Sequence, residues 1–311
     1  VIKVFECFAG YGGASWGLKL ANIKYECIGY SEIKKSAIKC FNNNFPNIKN
    51  YGDITKINWD EVPDFDLLTG GFPCQDVSIA GDRDLSKGRT ILVNELLKIL
   101  KIKKPKYFLF ENVTGIQSKK FYEFLFYINN SINRLGYDLY FKKLQSCDYG
   151  TPNYRTRVWF IGYRKNIAPK FGFNPYPNDK NKTDFLVIKD ILEKRIDEKY
   201  IIKNTNIIKD INKRREKKIL NLGQWKYSPY KSEYNLFSIY GLSPTLFKST
   251  YGFLINDKLY KMTEREAFRV MGFLNDEINL KDLNYNECMD LTTNGWDVNL
   301  VSKIFKNMKM K

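Results

Sequence analysis

VIKVFECFAGYGGASWGLKLAN, residues 1–22, decides the fold. An apolar run, VIKVFECF, ends in a glycine-bearing turn, and a helical stretch, ASWGLKLAN, follows at once. Strand, tight turn and helix open a βα unit, and the alternation continues down the chain. YECIGYSE (25–32) leads into IKKSAIKCFNNNF, and DFDLLTGG (64–71), KYFLFENV (106–113) and VWFIGYR (158–164) extend the series. Strands alternating with helices of this length predict a mostly parallel sheet. The strands lack a clean polar face, as expected when helices cover both sides.

With 311 residues, 43% of them hydrophobic, the chain can bury one large core or two smaller ones. Its longest apolar stretches, YFLF and FYEFLFYI, have strand or core-helix length, so no membrane span is expected. The chain enters directly into a strand, so no signal peptide is expected. Lys and Arg number 51 against 34 Asp and Glu, a formal charge of +17 that points to a polyanionic partner, nucleic acid first. The many Lys, Asn and Ile residues also allow the surplus to be compositional. Six cysteines stand singly, with no CxxC pair, which argues against a zinc site or a disulfide framework and for a reducing cytoplasm. The absence of histidine removes Cys–His and Ser–His catalysis and leaves transition-metal sites without their commonest ligand.

After about residue 165 the character changes. KNIAPKFGFNPYPNDKNKTD reads as a connecting loop, FLVIKDILEKRIDEKYII as a short helix with an extended exit, and 228–257 as a small irregular β region. Thr263 followed three residues later by Glu266 marks a helix start, and NGWDVNLVSKIFKNM reads as an amphipathic helix.

The glycine turn FAGYGG (8–13) carries no lysine or arginine, so it suits an adenosine-containing ligand better than a phosphate-rich one. Gly10, Gly12 and Gly13 let backbone approach a ligand closely. Glu32 ends the next strand, where an acid grips ribose hydroxyls, Asp53 in GDI is placed to accept from an adenine amino group, and Phe8 offers a stacking face. S-adenosylmethionine fits this set.

Cys74, in GGFPCQDVS (70–78), follows a strand at the carboxyl end where open α/β sheets bind ligands. Glu111 and Asn112 end another strand, and Arg155 and Arg157 alternate into a third. Taken singly, a buried structural cysteine, a turn-facing carboxylate and a solvated arginine pair explain them. Converging on one sheet edge, they look like a site.

These motifs resemble those of the cytosine-5 DNA methyltransferases of the bacterial restriction-modification type, along nearly the whole chain. FAGYGG resembles the family's first motif, GGFPCQDVS its nucleophile motif, ENV the sixth and PNYRTRVWFIGYR the eighth. GLSPTL resembles a signature late in the target-recognition region, REAFRVMGF the ninth motif, and TNGW stands where the last motif returns to the cofactor pocket. The resemblance implies a Rossmann-like S-adenosylmethionine-dependent methyltransferase domain over 1–190, with a small, irregular β-rich target-recognition domain and hinge over 191–289. A C-terminal helix, 290–311, would return to the catalytic domain.

It further implies that Cys74 adds to carbon 6 of a cytosine flipped out of double-stranded DNA. Glu111 would serve ring nitrogen 3, Arg157 would contact the base and orient Glu111, and Arg155 would support them. Phe8, Gly10, Gly12, Gly13, Glu32, Ile33, Asp53, Ile54, Pro73, Asn294 and Trp296 would hold S-adenosylmethionine, without a metal. Gln75, Ser78, Arg89, Thr245 and Arg269 are DNA-contact candidates, with 75–90 resembling the loop that closes over DNA. A monomer in a bacterial or phage-infected cytoplasm, beside a separate cognate restriction endonuclease, completes the implied setting.

The chain departs from the family at Glu6, where Asp is usual and a longer acid is expected near the methionine end of the cofactor. Ile33 replaces an aromatic residue, and Thr293-Asn294-Gly295-Trp296 replaces Gly-Asn-Ser. The compact recognition region, 203–257, predicts a short recognition sequence. Two alternatives compete: a tRNA cytosine-5 methyltransferase, whose Cys-Phe-Thr signature is missing here, and a catalytically silent DNA-binding protein, against which the intact Cys74 and Glu111 speak.

Overall fold

The computed structural model describes residues 1–72, 90–170, 172–178, 185–203, 214–224, 234–246, 251–255 and 258–311. The opening run forms β1 (Ile2–Cys7), buried at every position but Lys3. The glycine turn delivers it into α1 (Gly13–Leu20), whose residues 13–18 are buried. β2 (Tyr25–Ser31), α2 (Lys35–Asn44), β3 (Leu67–Gly71), α3 (Thr90–Lys103), β4 (Tyr107–Val113), α4 (Tyr122–Arg134) and β5 (Tyr137–Gln145) continue the alternation. The short β6 (Asn153–Tyr154) belongs to another sheet, and β7 (Thr156–Arg164) follows it.

The main sheet has six strands in the order β2-β1-β3-β4-β7-β5. β2, β1, β3 and β4 are parallel, as the alternating pattern predicts. β7 runs antiparallel to β4, with Phe108 opposite Gly162 and Val113 opposite Arg157. The strand order reverses at β1, which has β2 on one side and β3 on the other, and open α/β sheets bind ligands at the carboxyl edge of such a switch point. Phe5, Leu68, Phe108, Phe110, Val158 and Phe160 fill the core on one face of this sheet. Each phenylalanine contributes about 2–3 kcal/mol by leaving water. Phe108 stacks on Phe110 with ring centroids 4.6 Å apart. A Cβ at position 162 would lie 1.8 Å from the Phe108 ring, so the cross-strand partner of Phe108 has to be glycine.

Two compact units divide the chain. The first comprises residues 1–144, 156–177 and 302–311 and carries the main sheet. Its C-terminal residues are tied down where the Tyr163 hydroxyl donates to the Met308 carbonyl at 2.9 Å and Lys311 N donates to the Tyr107 hydroxyl at 3.0 Å.

The second unit comprises 145–155 and 178–301. Its four-stranded sheet is built from β8 (Asn221–Gln224), β9 (Asn235–Ser238), β11 (Gly252–Ile255) and β12 (Lys258–Tyr260) in the order β12-β11-β9-β8, while β10 (Ser243–Pro244) pairs with β6. Leu236, Leu254 and Leu259 form a small core there. α5 (Glu264–Val270) begins where Thr263 and Glu266 predict, with Glu266 N donating to Thr263 Oγ1 at 3.1 Å and Thr263 N to Glu266 Oε2 at 2.9 Å. α6 (Tyr285–Asn294) carries the same device at Asn284 and Glu287, and α7 (Val298–Met308) follows it.

The stretch FLVIKDILEKRIDEKYII contains 3₁₀ turns at Ile188–Ile191 and Glu198–Tyr200 in place of the expected short helix. Asp190 closes the first of them by accepting from Val187 N at 2.8 Å. The units part at 177 and 301, whereas the sequence reading divides the chain at 190 and 290. The stretch before 190 goes with the second unit because Ile188 N and Lys189 N donate to the carbonyls of Gly241 and Ile239, at 3.0 and 2.8 Å.

Candidate active site

The turn after β1 is shaped by backbone that favours the left-handed region. Phe8 has φ 53°, Gly10 φ 58° and Gly12 φ 86°. At Gly12, the N-cap of α1, a Cβ would also meet the Phe45 ring at 2.7 Å, so the position is closed to side chains on both counts. A positive φ at Phe8, a bulky residue, is an unusual conformation of the kind that clusters at functional sites.

Glu32 sits just past β2 and ties that strand end to the turn. Its Oε2 accepts from Gly10 N at 3.0 Å, and Oε1 accepts from Ile33 N and Lys34 N, each at 2.9 Å. Asn50 holds the Glu32 backbone from the other side, at 3.2 and 3.0 Å. Ile33 is 72% exposed. Asp53 accepts from Thr55 N and Oγ1 at 3.0 and 2.8 Å, and these bonds hold its carboxyl below the usual carboxylate range. Ile54 beside it is buried.

At the carboxyl end of β4, Glu111 is nearly buried and forms an ion pair with Arg157, Nε to Oε1 2.9 Å. Antiparallel pairing of β7 makes this possible, because the amino end of β7 then lies beside the carboxyl end of β4. Arg157 Nη1 also donates to the Thr156 carbonyl at 2.9 Å, which restrains the guanidinium. Asn112 donates to the Phe72 carbonyl at 3.1 Å, joining the end of β4 to the end of β3 at the point where the chain leaves for the cysteine motif. Its own Oδ1 accepts from Val113 N at 2.8 Å. The structure therefore brings Phe8, Gly10, Gly12, Gly13, Glu32, Glu111 and Arg157 to one edge of one sheet.

The remaining sequence-predicted residues fall outside the described residues or belong to the second unit. Pro73, Cys74, Gln75, Ser78 and Arg89 fall outside the described residues. Arg155 is buried in the second unit, where Nη1 and Nη2 donate to the carbonyls of Thr293 and Gly295 at 2.8 and 3.1 Å. In the same unit Asn294 is exposed and donates to the Asp290 carbonyl at 3.0 Å, whereas Trp296 is buried. Thr245 donates to the Tyr154 carbonyl at 3.1 Å. Arg269 forks onto Asp276 at 2.8 and 2.6 Å and reaches the Ile191 carbonyl at 2.9 Å, so it straps α5 to the turn at Ile188–Ile191. Arg215 similarly grips Asp190 at 2.6 and 2.7 Å.

Two residues contribute in ways the sequence does not convey. Asn112 belongs to the ENV motif and to the group at the sheet edge, but the sequence gives it no task of its own. Glu6, read as a cofactor contact, turns its carboxylate under α1, where Ala14 N and Ser15 N donate to it at 3.2 and 3.0 Å. No group of side chains with metal-ligand character occurs among the described residues, and no described helix is long and apolar enough to cross a membrane.

The architecture, a parallel sheet closed by an antiparallel strand with its site at the carboxyl edge, is that of the S-adenosylmethionine-dependent methyltransferase fold. The Dnmt2 methyltransferase of S. pombe superposes with a TM-score of 0.73 at 19% identity, covering 98% of this chain and 97% of that one. The C-5 cytosine-specific DNA methylase profile matches residues 2–310, and the chain belongs to that family. Among curated relatives, the orphan methyltransferase M.Rho11sI of Bacillus phage rho11s is 31% identical over 255 residues, 71% of this chain and 50% of that protein. The type II methyltransferase M.HhaI of Haemophilus parahaemolyticus is 31% identical over 278 residues, 88% of this chain and 84% of that one. The match thus spans half the length of the phage relative and most of the Haemophilus enzyme.

Proposed function

We propose that this chain is a DNA (cytosine-5-)-methyltransferase that uses S-adenosylmethionine and acts within a short duplex sequence. The observation that carries the reading is the Glu111–Arg157 pair at the carboxyl edge of the sheet, in a chain whose family match runs from residue 2 to 310. The described part of the cofactor turn suits the proposed cofactor, since its acids and backbone bonds leave little to hold a phosphate. When bound, S-adenosylmethionine supplies an electrophilic methyl group.

Cytosine is a poor electrophile, and its carbon 6 is hidden in the duplex, so the base must be flipped out at a cost of a few kcal/mol. In this reading Cys74 attacks carbon 6 as the thiolate, while Glu111, acting as an acid, delivers a proton to ring nitrogen 3. The electron pair gained by the ring makes carbon 5 nucleophilic. After methyl transfer the carbon 5 proton leaves to solvent, the Cys74 thiolate is expelled, and Glu111 recovers its proton. Arg157 restricts the rotation of Glu111 through the Nε–Oε1 contact, which persists as a hydrogen bond when the acid takes up its proton and so fixes where that proton is delivered. The reading extends to a monomer in the cytoplasm of a bacterium or phage host, with any cognate endonuclease acting separately.

Duplexes carrying 5-fluorocytosine test it, because fluorine at carbon 5 cannot leave as a proton and the adduct with Cys74 persists. With S-adenosylmethionine present, the full chain should form an adduct that survives denaturation, and Cys74→Ser should form none. A wild-type chain that binds DNA without forming an adduct would be a silent binder. Labelling of tRNA in preference to duplex DNA would make it an RNA enzyme.

A further inference from the structure

In open α/β folds the first βα turn commonly takes up phosphate, because the helix N-terminus presents free N–H groups and the positive end of its dipole. Here those groups are engaged from inside the protein. Glu6 is 2% exposed, and its side chain runs beneath α1. Oε2 accepts from Ala14 N at 3.2 Å, Oε1 accepts from Ser15 N at 3.0 Å, and the Ser15 hydroxyl also donates to Oε1. The neighbouring amides are likewise committed. Gly10 N donates to Glu32 Oε2 at 3.0 Å, Gly12 N to the Ala9 carbonyl at 2.8 Å, and Ala9 N to the Ser31 carbonyl at 3.2 Å.

An anion arriving from solvent would have to displace these bonds and also approach a buried carboxylate. Burial pushes the Glu6 carboxyl up to about 7, so it is anionic in mildly alkaline solution. The titratable groups around it, Cys7, Tyr25 and Cys27, are pushed up by burial and remain neutral there, so none of them offsets its charge.

We propose that Glu6 is a specificity-determining residue of the cofactor turn: its carboxylate fills the anion position at the start of α1, excluding phosphate-bearing adenosine ligands and favouring a cationic adenosyl ligand. This rests on the adenosyl-cofactor reading above and adds the basis of its selectivity. A sulfonium ligand gains from the buried anion, its neutral thioether counterpart does not, and a pyrophosphate is repelled.

Calorimetric titration of the full chain at about pH 8 with S-adenosylmethionine, S-adenosylhomocysteine and ADP-ribose tests it. ADP-ribose is chosen because its pyrophosphate does not titrate near neutrality. The wild type should bind both adenosyl ligands, the sulfonium more tightly, and reject ADP-ribose. Glu6→Gln should cut the preference for the sulfonium by about tenfold and admit ADP-ribose, whereas Glu6→Asp, which keeps the charge, should go on rejecting it. A Gln variant that keeps the wild-type preference and still rejects ADP-ribose overturns the inference. Should that variant fail to fold, the wild type at about pH 6 decides, since protonated Glu6 should then admit ADP-ribose and continued rejection overturns the inference. A wild type that binds neither adenosyl ligand fails the cofactor reading itself, a different result from an unaltered Gln variant.

Discussion

Glu111 and Arg157 meet because one side chain closes β4 and the other opens β7, 2.9 Å apart in a nearly dry setting. Removing the acid without changing its shape isolates its chemistry. Glu111→Gln should lower methyl transfer by about 10²–10⁴-fold while cofactor affinity, measured by calorimetry, stays the same. A parallel fall in cofactor affinity would show that Glu111 shapes the pocket and is not the proton donor. Gly162 makes a purely structural claim at the same scale. Gly162→Ala forces its methyl into the Phe108 ring and should cost about 1–3 kcal/mol or more in denaturant unfolding. An unchanged midpoint would mean that the ring has somewhere to move. At this scale the sequence was legible where a residue's chemistry was unusual for its place, as with the acid in FENV. It was illegible for Glu6, because sequence does not say which way a buried carboxylate turns, and both candidate directions lead to polar groups.

Elements were readable from periodicity and caps, while their directions were not. The apolar run at 158–164 announces a strand, but alternation and hydrophobicity are the same whichever way it runs. The antiparallel course of β7 is nevertheless what brings Arg157 to Glu111; a parallel β7 would place its amino end at the far side of the sheet. α5 was legible because the Thr263–Glu266 pair has one strong local meaning, and both of its bonds are present. The Asn284–Glu287 pair has the same spacing and starts α6 in the same way. FLVIKDILEKRIDEKYII suggests a short helix with an extended exit, but at 188–191 the Asp190 side chain binds the Val187 amide and closes a tighter turn. Thr263→Ala should therefore lower stability by about 1 kcal/mol, measurable as a drop in the unfolding midpoint. No loss would show that the cap is replaced by solvent.

The whole molecule carries two electrostatic signatures. Its surplus of 17 positive charges predicts DNA affinity that falls steeply with salt, whereas a flat salt profile would mark the charge as compositional. The second concerns stability. Burial raises the carboxyls of Glu6, Glu266 and Asp297 above their ordinary values, Glu6 to about 7 from 4.5. A raised acid binds its proton more tightly in the folded state, so its contribution to stability is fully present below the unfolded value and is lost as pH rises through the folded one. For Glu6 that window runs from 4.5 to about 7. The chain has no histidine, so the usual titration in this range is missing. The melting temperature should accordingly be higher at about pH 5.5 than at about pH 8, with a smaller difference in Glu6→Gln; the opposite trend would contradict the burial that favours the protonated form of these acids.

The central claim is that this fold, with its carboxylate–guanidinium pair, methylates carbon 5 of cytosine in DNA. Methyl transfer from labelled S-adenosylmethionine to unmethylated genomic DNA, followed by base-resolution mapping of 5-methylcytosine, tests that most directly. The account predicts label at cytosines within a single short motif and none with Cys74→Ser. A wild-type chain that binds the cofactor and leaves every cytosine of the DNA unmethylated would contradict it.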